Sequence, residues 1–267
     1  PRGIGKATLA FRLARYVLAG GGSGGLFGGA PTSLAVSAED PVFRRIAAGG
    51  HADLVTLAPG MLHPESKKPT QEIVVGHVRQ AAEFLRKTAA EGGWRVVIVD
   101  EAETMNRNAA NALLKILEEP PPRCLLLLIS HSVGRLLPTL RSRCRMLALT
   151  ALPKALVETL LARYRPELDP AERTLLARLA AGSIGRAIEL SDRGGAALER
   201  ELEALLDSLP VLDVPALHNF TDRFARPGDE IRSPSILKAT SPILTESPTA
   251  RSNWSINEWS TSAFFPF

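Results

Sequence analysis

Residues 94–102 read WRVVIVDEA, a run of valine and isoleucine that ends at two acidic residues. A continuous, valine-rich run is typical of a strand that is buried on both faces of a parallel sheet. Two further apolar runs, Leu125 to Ser130 and Met146 to Leu149, predict further strands. Between the first two strands, apolar residues recur at helical spacing from Met105 to Leu117, and Pro120 ends that helix. Strands that alternate with helices predict an α/β domain with a mostly parallel sheet.

The organisation of the chain changes after residue 150. Residues 1–150 carry the α/β pattern, residues 151–192 predict a small helical domain, and residues 193–226 begin a further helical segment. Residues 227–267 differ in composition, since serine, threonine and proline dominate and no helical period is present. We expect this tail to be disordered or artefactual, because such a composition does not build a packed helix.

Composition excludes several classes of protein. No apolar run approaches the roughly 20 residues that span a bilayer, and the N-terminus has no signal-peptide pattern, so we expect a cytoplasmic protein without a membrane partner. The two cysteines, Cys124 and Cys144, cannot form a four-cysteine zinc site, and no zinc is expected. The histidines have no metal-binding spacing, and we interpret them as surface or loop residues: His51, His63, His77, His131 and His218.

The first motif, GIGKAT at residues 3–8, opens a predicted helix and resembles a Walker A loop. In such a loop Gly3 and Gly5 let backbone N–H groups turn toward phosphates, and Lys6 reaches the outer phosphates. The next position normally carries the Ser or Thr hydroxyl that ligates Mg²⁺, and here it is Ala7. ATP is therefore a possible ligand of a weak or vestigial site, and Mg²⁺ would be poorly held there. Because the loop needs a strand before it, we expect the chain to be a fragment that begins inside the motif.

The second motif is the acidic end of the 94–102 run, which resembles a Walker B strand. There Asp100 would assist Mg²⁺ and Glu101 would polarise the attacking water. The plain alternative is that any buried parallel strand can end in acidic loop residues. The combination with Lys6 upstream favours the nucleotide-site interpretation.

Three more segments carry a resemblance to a family. Residues 111–121 read NALLKILEEPP, residues 141–144 read RSRC, and residues 182–187 read GSIGRA. In this order the segments resemble the AAA+ clamp-loader subunits, in particular the delta-prime family of bacterial DNA polymerase III. The resemblance runs from residue 1 to about residue 190, and more faintly to about 226. It implies a P-loop domain, a helical lid domain over 151–192 and the start of a helical collar domain.

The family resemblance also implies roles for two arginine positions. Arg143 in the RSRC segment corresponds to an arginine finger that serves the nucleotide of the adjacent subunit, for which a permanently charged, fork-shaped guanidinium is suited. Motor subunits of the family carry a sensor arginine at the position of Gly185, whereas here Arg186 lies one residue later. That shift turns the side chain by about 100°. A helix start capped by Ser183 explains this segment at least as well.

As a whole, the resemblance implies a stator subunit, itself not an efficient ATPase, within a DNA-directed DNA polymerase (a nucleotidyltransferase). The implied partners are the gamma/tau and delta subunits, the sliding clamp and, indirectly, primed DNA. Alternatives are a gamma/tau-like ATPase motor, which would carry Ser or Thr at position 7 and arginine at position 185, a stand-alone P-loop kinase, and an AAA+ remnant that binds no nucleotide.

Overall fold

The computed structural model describes residues 2–21, 33–91, 93–207 and 214–215. These residues form two compact units, divided between residues 5 and 6 and again between residues 148 and 149. The α/β unit holds the described residues of 6–148, and the helical unit holds residues 2–5 and those from 149 onward. The division into four domains stays a prediction, and the tail from residue 227 lies outside the described residues.

The α/β unit is built around a three-stranded parallel sheet in the order β1-β2-β3, so that β2 is the central strand. Its described elements are α1 (Lys6–Tyr16), a π-helical turn (Val17–Gly21), α2 (Pro41–Ala47), β1 (Leu54–Leu57), α3 (Val75–Arg86), β2 (Arg95–Val99), a 3₁₀ turn (Ala102–Thr104), α4 (Arg107–Glu118), β3 (Cys124–Leu128), a 3₁₀ turn (Val133–Arg135) and α5 (Pro138–Arg141). Val99 at the end of β2 lies opposite Leu57 of β1 and Leu128 of β3. The strand predicted at residues 94–99 is confirmed.

The core of this unit lies around β2 and α4. Val96 to Val99 of β2 are fully buried, and Leu113 of α4 and Leu140 of α5 are buried in the same apolar cluster. Helix α4 begins at the cap of Asn106, whose side chain accepts a hydrogen bond from the Ala109 amide at 2.9 Å. The continuous apolar run of β2 is thus buried in the middle of the sheet, as its composition predicts.

The helical unit contains α6 (Lys154–Tyr164), α7 (Pro170–Leu179), α8 (Ile184–Asp192) and α9 (Gly195–Asp207). Two of these helices begin at side-chain caps: Asp169 accepts from the Glu172 amide at 2.8 Å, and Ser183 accepts from the Arg186 amide at 3.1 Å. The predicted cap at Ser183 is confirmed. Within the described parts of the chain, no helix combines the length and the apolar character needed to cross a membrane.

The predicted strand at Met146 to Leu149 is wrong, since residues 145–150 have no regular secondary structure. Met146 is 70% exposed and Leu147 is 59% exposed. A β-strand exists only when its backbone groups pair with a neighbouring strand, and the segment has no such neighbour among the described residues. The apolar run alone therefore predicted a strand that the described sheet does not contain.

The interpretation of the histidines as surface or loop residues is wrong for His77. His77 lies in α3 and is 1% exposed, and its Nε2 is 3.0 Å from the carbonyl oxygen of Leu62. His51 is also buried, and its Nδ1 accepts a hydrogen bond from the Asp53 amide at 3.1 Å. His51 lies in a loop, as interpreted, and its hydrogen bond is local, whereas the His77 ring connects α3 to the segment that holds Leu62. His218 lies outside the described residues.

Candidate functional site

The glycine loop has the backbone conformation that the Walker A resemblance requires of its glycines. Gly3 has φ +71° and Gly5 has φ +93°, a region that favours glycine because a Cβ atom would be strained there. Lys6 follows as the first residue of α1. The predicted position of Lys6 at a helix N-terminus is confirmed, whereas phosphate binding by the loop stays a prediction.

Gly3 lies directly against the first turn of α8, within the helical unit. The Gly185 amide donates a hydrogen bond to the Gly3 carbonyl oxygen at 2.9 Å. A Cβ atom placed on Gly185 would lie 2.9 Å from the Gly3 Cα, and one placed on Gly3 would lie 3.1 Å from the Gly185 Cα. The two backbones therefore touch at a point where neither residue has room for a side chain.

Ala7 occupies the position at which the Walker A pattern places the Mg²⁺-binding hydroxyl. It lies in the first turn of α1 and is only 4% exposed. The next residue, Thr8, is half-buried one step further around the helix. The described residues contain no group of three or more His, Cys, Asp or Glu side chains that could hold a metal ion.

The acidic pair of the second motif lies at the carboxyl end of the central strand. Asp100 follows β2 and is buried, and its Oδ1 accepts a hydrogen bond from the Glu101 amide at 2.9 Å. Glu101 is half-buried and has φ +47°, a left-handed conformation that is uncommon for a residue with a side chain. The strand-end position of both carboxylates is confirmed.

Burial raises the pKa of Asp100 from its ordinary value near 3.8 to about 6. The neighbouring carboxylates of Glu101 and Glu103 raise that pKa further, while the Glu101 amide and the Lys6 charge act to lower it. The structure thus places the Lys6 charge close enough to act on Asp100. Lys6 of the first motif and Asp100 of the second thus lie near each other within the α/β unit, and their role as a nucleotide site stays a prediction.

We expect Asp100→Asn to stabilise the protein at pH 7. Between pH 4 and 6 the folded protein keeps a proton on Asp100 that the unfolded chain has released, so the free energy of unfolding falls as the pH rises through the folded pKa. Above that pKa the buried charge costs on the order of 2 kcal/mol, which the amide avoids. Urea unfolding of both proteins from pH 4 to 7 measures the difference. The exposed Asp207 provides the control Asp207→Asn, and a gain that does not depend on pH would contradict the assignment.

Sequence reasoning missed a polar cluster beside Asp100. The Oε1 atom of Glu103 accepts a hydrogen bond from the His131 amide at 3.0 Å. Burial acts to raise the pKa of Glu103, but its own amide, the Ser130 hydroxyl and the His131 amide outweigh burial and hold it below its ordinary value. The sequence contained a signal for this cluster, because Ser130 and His131 lie two and three residues after the end of β3, and the carboxyl ends of parallel strands meet at one edge of a sheet.

Arg143 lies in the turn that follows α5, and its side chain is exposed. Its Nη1 donates a hydrogen bond to the Thr139 carbonyl oxygen at 3.2 Å, and its Nη2 is 2.8 Å from Oε1 of Glu118 at the end of α4. This ion pair joins two segments that lie far apart in the sequence, and the sequence analysis did not predict it.

A parallel sheet with an acidic end on its central strand, a glycine loop that opens a helix, and a following helical unit define a P-loop protein of the AAA+ class. The family described as "DNA polymerase III, delta subunit" matches residues 1–153, which is more than half of the chain. The chain belongs to this family, which places it among the clamp-loader proteins.

Named relatives agree with the family. The chain is 41% identical over 172 residues to the DNA polymerase III subunit delta' of Pseudomonas aeruginosa, covering 64% of this chain and 47% of that protein. It is 42% identical over 145 residues to the delta' subunit of Escherichia coli, covering 54% and 40%. It is 33% identical over 123 residues to the tau subunit of Escherichia coli, covering 45% and 19%. The chain thus spans less than half the length of these curated relatives.

A similar solved structure is a DNA polymerase III gamma subunit-related protein of Thermotoga maritima. It is 25% identical to this chain, with a TM-score of 0.37, and the match covers 67% of this chain and 58% of that protein.

Proposed function

We propose that this chain acts as the stator, a delta-prime-type subunit, of a DNA polymerase III clamp loader. In this role it donates Arg143 to the ATP site of a neighbouring motor subunit. The observation that carries the proposal is the exposed Arg143 guanidinium in the turn after α5. An exposed arginine on a rigid turn can enter a neighbour's site, where its planar fork matches phosphate oxygens.

The proposed partners follow from the same role. Gamma/tau and delta subunits would flank the chain, and the assembled loader would place a sliding clamp on primed DNA. The relatives named delta' and tau support this assignment, because both kinds of subunit carry the name of one polymerase. The chain would contribute to a DNA-directed DNA polymerase without performing nucleotidyl transfer itself.

The chain's own nucleotide site is proposed to be vestigial. Lys6 and the glycine loop would supply the phosphate-binding groups, and the positive φ angles of Gly3 and Gly5 are compatible with a tight loop of this kind. Mg²⁺ would be poorly held, because buried Ala7 offers no oxygen where the pattern places a hydroxyl. Efficient phosphoryl transfer depends on a metal ion that bridges the β- and γ-phosphates.

We expect the isolated chain to hydrolyse ATP far more slowly than roughly 1 per second, the lower range of phosphoryl-transfer enzymes. A steady-state ATPase assay measures the rate, and Lys6→Ala serves as the background control. Turnover near 1 per second that Lys6→Ala abolishes would favour the gamma/tau-like motor instead. Titration with a fluorescent ATP analogue separates a vestigial site from a remnant that binds no nucleotide.

A further inference from the structure

The guanidinium of Arg143 is held by three neighbours rather than extending freely from its turn. Its Nη2 lies 2.8 Å from Glu118 Oε1. Its Nη1 lies 3.2 Å from the Thr139 carbonyl oxygen and 3.5 Å from Ser142 Oγ. Two of these neighbours belong to the segment of Arg143 itself. Glu118 is the one that comes from a different helix.

The backbones that carry this ion pair are fixed by the core. Leu140 in α5 is 1% exposed and packs in the same apolar cluster as Leu113 and Ile116 of α4. Glu118 follows Ile116 by two residues at the end of α4, and Arg143 follows Leu140 by three residues. The separation of the two backbones is therefore set by buried packing and not by a flexible loop.

The contacts leave the guanidinium able to bind phosphate. Arginine carries five N–H donors in a fixed fork. The Thr139 carbonyl and the Ser142 hydroxyl engage Nη1, and the Glu118 carboxylate engages Nη2, which keeps a second N–H. An exposed ion pair of this kind adds little to folding stability. Its consequence is orientational, because it selects one rotamer of a long side chain.

We propose that Glu118 is a positioning residue for Arg143, which it holds in the orientation that reaches the neighbouring subunit's ATP. The inference rests on the proposed arginine-finger function. Glu119 provides an internal contrast, since it is the adjacent carboxylate, is exposed, and has no ion-pair partner in the part of the chain that the structure describes. A general effect of negative charge at the end of α4 would involve both residues.

The test uses the clamp loader reconstituted with this subunit as Glu118→Gln, Glu119→Gln, Arg143→Ala or the double variant Glu118→Gln/Arg143→Ala. ATP turnover is measured with saturating clamp and primed DNA. We expect Glu118→Gln to lower kcat at the served site by roughly three- to tenfold with little change in KM, the effect of a misplaced group. Glu119→Gln should match the wild type. The double variant should be no slower than Arg143→Ala, because Glu118 acts through Arg143.

The outcomes separate the two proposals. If Arg143→Ala lowers turnover and Glu118→Gln does not, the positioning role is overturned while the finger stands. A rise in turnover with Glu118→Gln would mean that the carboxylate restrains Arg143, and equal losses with both glutamine variants would mean a charge effect; either result overturns positioning. Unchanged turnover with Arg143→Ala would contradict the proposed arginine-finger function, and it would contradict the positioning role of Glu118 as well.

Discussion

Replacing Arg143 with alanine is expected to slow ATP hydrolysis by roughly 10³-fold at the one loader site that Arg143 is proposed to serve, the lower range for trans-acting arginines. The transferred phosphoryl group develops charge on its outer oxygens, and the proposed finger would stabilise that charge from the adjacent subunit. Steady-state ATPase of the whole loader should fall less, because its other sites keep their own arginines. If every site must hydrolyse ATP to complete the loading cycle, the rate of clamp loading measures this loss directly.

Folding and assembly should not change, because Arg143 is exposed and makes only surface contacts. Arg141 provides a matched control, since it is an exposed arginine two residues earlier, at the end of α5. Arg141→Ala should leave turnover at the wild-type rate. Arg143→Lys should rescue poorly, because an ammonium group lacks the planar fork. Unchanged turnover of Arg143→Ala under saturating clamp and primed DNA would assign the segment to an ordinary basic surface turn.

The central part of the fold could be predicted from the sequence because its signals are local. The valine-rich run that became β2 needs burial on both faces, and only the middle of a parallel sheet supplies it. The end of α4 follows from Pro120, which cannot continue a helix. Asp100 could be placed for the same reason, since it directly follows the strand whose position was secure.

Features that depend on a distant partner could not be predicted in this way. Met146 to Leu149 has the composition of a strand, but a strand needs a neighbour that residue patterns do not supply. His77 looked like a surface residue because its carbonyl partner is Leu62, fifteen positions earlier in the chain. The ion pair of Glu118 could not be predicted because its partner Arg143 follows a different helix, α5. In each case the missing information was a tertiary contact.

At Gly185 a tertiary contact changes how the sequence position is interpreted. We expect the substitution Gly185→Arg to release the glycine loop from α8. The resemblance alone marks Gly185 as an absent sensor arginine. In the structure its Cα faces Gly3 so closely that an added Cβ would come within 2.9 Å of the Gly3 Cα, a backbone atom that cannot rotate away. Over-packing of this kind costs roughly 1–3 kcal/mol. Restoring the motor residue should therefore disrupt the contact between loop and helix rather than create a sensor.

Hydrogen–deuterium exchange of the full chain measures this release, because the Gly185 amide is protected by the Gly3 carbonyl oxygen at 2.9 Å. A loss of 1–3 kcal/mol corresponds to an increase in the exchange rate of about 5- to 150-fold at that amide. Gly185→Ala should give an increase in exchange rate near the lower end of this range, since its methyl group already contacts the Gly3 backbone. Gly134→Ala is the control, because a Cβ atom there has no neighbour within 4 Å. Wild-type protection of the position-185 amide in Gly185→Arg would show that the loop tolerates a side chain, and that the glycine marks only a lost arginine.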